Sequence, residues 1–153
     1  MRTNESRTVL QWGEPSGDGG VSVAISLYNY ADHIEECLAS VAAQDFPDIQ
    51  LLVVDDCSQE DESLAVAEAW MRKHRHHFSG GLLVTHHANC GLAAARNSAF
   101  QAAACDTVFV MDADNSIHPS CIRKLYRALC AADAEASQSA IAFFMCPLLL
   151  SGP

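Results

Sequence analysis

Basic residues are scarce in this chain. Nine Lys and Arg stand against nineteen Asp and Glu, a formal net charge of -10 over 153 residues. That balance excludes a surface built for nonspecific nucleic-acid or anionic-membrane binding, although it leaves room for a local basic site. Long apolar runs are missing too. The longest, AIAFFMCPLLL at 140–150, is too short for a membrane span and contains Pro147. Residues 1–20 hold no apolar segment of the kind a secretory leader needs. There is also no C-x-x-C pair. The seven cysteines (Cys37, Cys57, Cys90, Cys105, Cys121, Cys130 and Cys146) stand singly, and an odd number cannot all pair within one chain. Reduced core thiols fit this pattern better than a disulfide framework. Together these absences predict a cytoplasmic or membrane-peripheral protein that does not bind nucleic acid.

What is present is a regular alternation. Half the residues are apolar, enough for the core of one domain. Residues 1–20 are polar and include GEPSGDGG, which reads as a flexible lead-in before a domain spanning 21–153. VSVAISL at 21–27 and IQLLVVDD at 49–56 read as strands, the second buried on both faces. Between them Ile34, Cys37, Leu38 and Val41 mark one helical stripe, and Asp32 with Glu35 resembles a capping box. Ser58 is placed to cap a second helix through Leu64, Ala67, Trp70 and Met71. LLVTH at 82–86 and DTVFVM at 106–111 are two more strands, separated by the Ala-rich CGLAAARNSAFQAAA. Pro119 suits the first position of a helix carrying Ile122, Leu125, Tyr126 and Leu129, and AIAFFM at 140–145 is a candidate fifth strand. Four strand–helix repeats predict an α/β fold: a mostly parallel sheet with right-handed crossovers and flanking helices.

Such a sheet binds ligands outside the carboxyl ends of its strands. Each of the four strand ends here is followed by polar residues. Ser26, Tyr28 and Asn29 follow the first, Asp55 and Asp56 the second, His86, Asn89 and Gly91 the third, and Asp112 and Asp114 the fourth. Parallel strands bring all four groups to one rim. Asp112 and Asp114 offer two hard oxygen ligands for Mg²⁺ or Mn²⁺, with water or phosphate completing the shell. Tyr28 can stack on a base, Asp56 can accept a hydrogen bond from a base N–H, and Arg96 can meet phosphate charge. Each motif alone has a plainer reading: a solvated turn for D-x-D, a strand end and Asx turn for VVDDCS, packing for Tyr28, a surface ion pair for Arg96. HRHH at 74–77 and the pair His86–His87 read as polar element ends rather than metal ligands, and Asn97 and Ser98 as packing or turn contacts. The motifs gain their force as an ordered set.

That ordered set resembles the family-two glycosyltransferases. It consists of VSVAISLYNYADHIEECLASVAAQDFPDIQLLVVDDCSQED, then NCGLAAARNSAF, then TVFVMDADNSIHPSCIRKL, and covers roughly residues 21–130. The resemblance implies the GT-A fold, a Rossmann-like nucleotide-binding half that takes a nucleoside-diphosphate sugar as donor. By position, Ser26 and Tyr28 match the segment around the base, and Asp56 matches the acid that recognises it, typically uracil. Gly91 and Arg96 match the segment lining the diphosphate and ribose. Asp112 matches the first acid of the D-x-D motif and Asp114 the last, the main metal ligand. The family implies inverting transfer to an acceptor hydroxyl, whether of a glycan, a lipid or a protein. One departure is ISLYN, where the family often carries Pro. The expected acceptor half, with its Asp or Glu general base, is predicted to lie beyond Pro153, so the catalytic base is unassigned and this chain alone is expected to be weakly active or inactive.

The competing class is a nonenzymatic nucleotide-sugar-binding module or homo-oligomeric interaction domain. A dehydrogenase would want G-x-G-x-x-G after the first strand, and a nucleotidyltransferase a Gly-rich loop bearing Lys or Arg; SLYNYADH is neither.

Overall fold

Val, Ile and Leu dominate the runs Val21–Leu27 (β2) and Ile49–Asp55 (β3), and every residue of both is buried. Only a strand covered on both faces needs such a sequence. The computed structural model describes residues 5–135 and 143–145. Within them the other strands are Ser6–Gly13 (β1), Gly80–His86 (β4), Thr107–Asp112 (β5) and Phe143–Met145 (β6). The helices are Ala31–Ala42 (α1), Ser63–His74 (α2), Leu92–Ala102 (α3) and Cys121–Glu135 (α4). The sheet order is β1-β4-β3-β2-β5-β6, parallel throughout except for β1. The mostly parallel α/β sheet expected from the sequence is therefore the observed one. Part of the candidate fifth strand is β6; positions 140–142 lie outside the described residues.

The two faces of the sheet are packed differently. One face carries Val23, Ile25, Leu27, Leu51 and Val53 against Ile34, Leu38, Ala67, Met71 and Ile122 of α1, α2 and α4. Each fully buried aliphatic side chain there contributes about 1.5–3 kcal/mol. The other face is thinner. Ala24 and Val54 meet Ala95 and Ala99 of α3, so small residues on both sides let the helix approach closely. The chain runs from β2 to β3 to β4 in one direction, then crosses to β5 on the far side of β2. That reversal makes the β2/β5 boundary the topological switch point, where crevices form in open α/β sheets.

Two local expectations are corrected. The supposed flexible lead-in contains β1, which pairs antiparallel with β4 along its length, with a bulge between Thr8 and Leu10. Its outer residues are exposed, so its sequence lacks the greasy signature of the central strands. Trp12 anchors it by lying on Gly81, where an added Cβ would meet the indole ring at 2.1 Å. The expected local helix caps are also replaced by long-range ones. Asp32 and Glu35 form no capping box; the Tyr30 amide donates to Ser63 Oγ (2.7 Å) and the Ala31 amide to Asp61 (2.9 Å). Ser58 accepts the Asn29 amide at 2.9 Å instead of capping α2. Pro119 sits in the turn before α4 and is not its first residue. Loops that leave one sheet edge are neighbours in space, so they cap one another.

The thiols divide likewise. Cys37 and Cys105 are buried, whereas Cys90 and Cys130 are exposed and Cys57 and Cys121 half-buried. Among the described residues the core-thiol reading holds only for the first pair. Burial, with Asp114 and Asp112 nearby, pushes the Cys37 thiol up to about 12.

Candidate functional site

Parallel register lines up the strand ends. Ser26 on β2 is level with Asp112 on β5, Leu27 with Asp55 on β3, and Asp55 with Thr85 on β4. The residues just past these positions therefore share one rim. A cleft of about 260 Å³ opens there, and its walls include Ser26, Tyr28, Asp56, Gly91, Asp112 and Asp114. Six of the seven residues expected from the sequence thus line a single cavity. Arg96 stands beside it: its Nη2 donates to Asp112 Oδ1 at 3.0 Å. Sequence reasoning missed Tyr30, Leu92 and Ala95 on the same walls.

The spacing of the acid pair has a geometric cause. β5 ends at Asp112, and a turn carries Ala113 and Asp114. Ala113 is fully buried, so Asp112 and Asp114 both face outward into the cleft. Two carboxylates on one wall repel. Arg96 offsets part of that charge at Asp112, and its Nε is buried without a partner. Asp114 is exposed. Both are hard oxygen donors open to the cavity, so they fit a divalent ion whose other ligands are water and phosphate.

The adjacent aspartates of VVDD divide their work. Asp55 is committed to the fold: it accepts the Thr85 hydroxyl at 2.7 Å and the Ser58 amide at 3.3 Å. Asp56 faces the cleft but is nearly buried. Its Oδ1 accepts the Cys90 amide (2.9 Å) and lies 2.7 Å from His86 Nδ1, while Oδ2 accepts the Gly91 amide (2.7 Å). Gly91 can aim its N–H there because its φ of 90° and ψ of 163° are open only to glycine. On the facing side Tyr28 is 43% exposed and Leu92 50%, an apolar pair beside buried carboxylate. Asn29, next in the chain after Tyr28, has a left-handed conformation, and its Oδ1 accepts the Glu60 amide at 3.3 Å.

His86 was placed on the rim by its sequence but not joined to Asp56. The signal was available: His86 ends β4, one strand over from the end of β3. Asp56, His86 and Cys90 have ligand atoms within 4.8 Å of one another and could hold a metal. As they stand, the 2.7 Å His86–Asp56 contact is that of a hydrogen bond with a proton between the two groups. The basic run at 72–77 lies elsewhere, at the end of α2 and in the short turn Arg75–His77, where Trp70 stacks on His74 with ring centroids 4.3 Å apart. No helix among the described residues is long and apolar enough to cross a membrane.

Comparison with known proteins bears on this geometry. Residues 22–147 match the profile of the family described as glycosyl transferase family 2. Among curated proteins, an uncharacterized glycosyltransferase EpsJ of Bacillus subtilis (strain 168) is 30% identical over 105 residues, covering 69% of this chain and 29% of that protein. An uncharacterized glycosyltransferase YibD of Escherichia coli (strain K12) is 27% identical over 118 residues, covering 77% and 33%. Among solved structures, S. aureus TarS 1-349 in complex with UDP superposes with a TM-score of 0.63 at 30% identity, covering 77% of this chain and 33% of that one. The mannosyltransferase PcManGT from Pyrobaculum calidifontis, in complex with GDP-Man and Mn²⁺, gives 0.64 at 28% identity, covering 76% and 34%. The sheet and its flanking helices are thus those of the GT-A glycosyltransferases. The chain spans about a third or less of the length of these relatives.

Proposed function

This chain belongs to glycosyl transferase family 2, and from that premise we propose that its cleft is the donor site of a glycosyltransferase, taking a UDP-linked sugar with Mg²⁺ or Mn²⁺. The carrying observation is that Tyr28, Asp56, Asp112 and Asp114, from three separate strand ends, line one cavity. That cavity combines an exposed aromatic face for a base, a buried acceptor for a base N–H and two open carboxylates for an ion. The solved relatives bound to UDP and to GDP-Man with Mn²⁺ support this reading.

Each group acts through its own chemistry. Tyr28 stacks on the base, and Asp56 accepts an N–H at the base edge. Asp112 and Asp114 would hold the metal, and a divalent ion there would supply positive charge against the diphosphate leaving group of an inverting displacement. Arg96 holds Asp112 in the cleft-facing orientation and limits repulsion before the donor arrives. No residue of this cleft is assigned as the acceptor's general base. Titration calorimetry with UDP, GDP and CDP, with and without Mn²⁺, tests the reading. Binding of UDP that depends on the metal is expected. Absence of metal-dependent binding for every nucleoside diphosphate would overturn it.

A further inference from the structure

We propose that His86, braced by Ser98, is a positioning residue that makes Asp56 selective for a base offering a single N–H, so that the site prefers uridine to guanosine. This rests on the reading of the cleft as a donor site. His86 is the last residue of β4 and its side chain has 0% exposure. Nδ1 lies 2.7 Å from Asp56 Oδ1 and Nε2 lies 2.9 Å from Ser98 Oγ on α3. An ionised carboxylate can only accept, so Nδ1 carries the proton and donates. Nε2 faces the Ser98 hydroxyl, which can donate to it or accept from it, so no polar atom of the imidazole is left unmatched.

The consequence lies in the lone pairs that remain. A carboxylate has about four acceptor positions. In Asp56, His86 and the Cys90 amide fill both on Oδ1, and the Gly91 amide fills one on Oδ2. One position is open, on Oδ2. Uracil presents one imide N–H and needs one acceptor. Guanine presents an N1–H and an adjacent amino group, a fork that needs two acceptors side by side, one on each oxygen. Cytosine presents a bare ring nitrogen at the matching edge, which the carboxylate repels. Removing the His86 donor frees an acceptor on Oδ1 and lets the carboxylate turn. The guanine fork can then be met.

The test is a set of Kd values for UDP, GDP and CDP with Mn²⁺, measured on the full chain and on H86L, H86N and S98A. Thermal melts check that each variant is folded. The unaltered chain is expected to prefer UDP. In H86L the UDP/GDP affinity ratio is expected to fall about tenfold, the weight of one charge-assisted hydrogen bond. H86N keeps a side-chain N–H near Nδ1 and is expected to hold the ratio within about threefold. S98A removes only the brace, and its ratio is expected to fall about threefold. A downfield imidazole N–H resonance in proton NMR is expected in the unaltered chain and in S98A. A folded H86L with an unchanged ratio would overturn the proposal. Should H86L not fold, S98A with an unchanged ratio and no downfield proton in the unaltered chain would do the same. GDP binding as tight as UDP binding in the unaltered chain would also overturn it while leaving the donor site intact. Failure to bind any nucleoside diphosphate would instead remove the donor-site reading beneath it.

Discussion

The two ends of the parallel strands both carry polar side chains, and they differ in what those groups have left to offer. At the amino end, Ser22 and Gln50 are buried in the sheet. Ser22 Oγ donates to Gln50 Oε1 (2.6 Å), and the Ala104 amide donates to the same oxygen (2.8 Å). The Cys105 amide donates to Ser22 Oγ (3.1 Å), and Gln50 Nε2 donates to the Ala102 carbonyl (3.3 Å). That network ties off the turn from α3 to β5 and is closed. At the carboxyl end, Asp114 is exposed, Asp56 keeps an unfilled acceptor, and Asp112 has Arg96 for a single oxygen. The lesson is that polar residues in a sheet declare a site by the bonding capacity they leave unspent, since burial of a fully matched group stabilises structure alone.

Substitution at each end separates the two roles. D114N is expected to weaken metal-dependent UDP binding about 100-fold or more, because it removes a charged ligand from the ion that carries the diphosphate. Its melting temperature should not fall, since it also relieves repulsion with Asp112. Calorimetry and thermal melts on the same sample check both halves. Q50L should behave in the opposite sense. It leaves the buried Ser22 hydroxyl and the Ala104 amide without their acceptor, a loss of about 2 kcal/mol of stability. The affinity of the folded fraction for UDP should not change. A Q50L chain that melts normally but binds poorly would collapse the distinction between the ends.

How much of this could be read beforehand depends on whether the governing contact was local or long-range. β2 and β3 were legible because burial on both faces demands an unbroken apolar run. The acid pair was legible because D-x-D at a parallel strand end sits on the rim where ligands bind. β1 was not, since its partner lies far along the chain, with Ser6 opposite His86, and its outer face is wet. The caps were misread because Tyr30 and Ala31 are capped by Ser63 and Asp61 across two loops. His86 and Ser98 looked like ordinary polar residues until the fold set His86 between Asp56 and Ser98. G81A probes the hidden strand directly. The new methyl would collide with the Trp12 ring, so β1 is expected to lift from β4 at a cost of about 1.5 kcal/mol. Hydrogen exchange should show lost protection confined to those two strands. Unaltered protection there would mean that Trp12 does not hold the edge.

The smallest effect sharpens the comparison most, because it concerns an acid at the open end that belongs with the closed network. Asp61 lies in the loop leaving β3, yet its oxygens are spent on the Ala31 amide, the Ser63 amide and the Ser63 hydroxyl. Burial would raise its pKa, but those hydrogen bonds outweigh it and hold the carboxyl below the usual carboxylate range. A folded-state pKa below the unfolded one stabilises the fold above the unfolded value, and that stabilisation is lost as pH falls through the folded one. D61A is therefore expected to cost about 0.5–1 kcal/mol at neutral pH, in the range of a lost helix cap. The gap between wild type and variant should stay flat through neutral pH and close as pH falls through the acidic range in which Asp61 takes up its proton. UDP affinity should change by less than about twofold, because less than ~0.4 kcal/mol reaches the cleft. Urea melts across a pH series, paired with calorimetry at neutral pH, measure both. A D61A chain that folds with full stability but loses UDP would place this carboxylate among the ligands, and position along the rim, rather than unspent bonding capacity, would then be what defines the site.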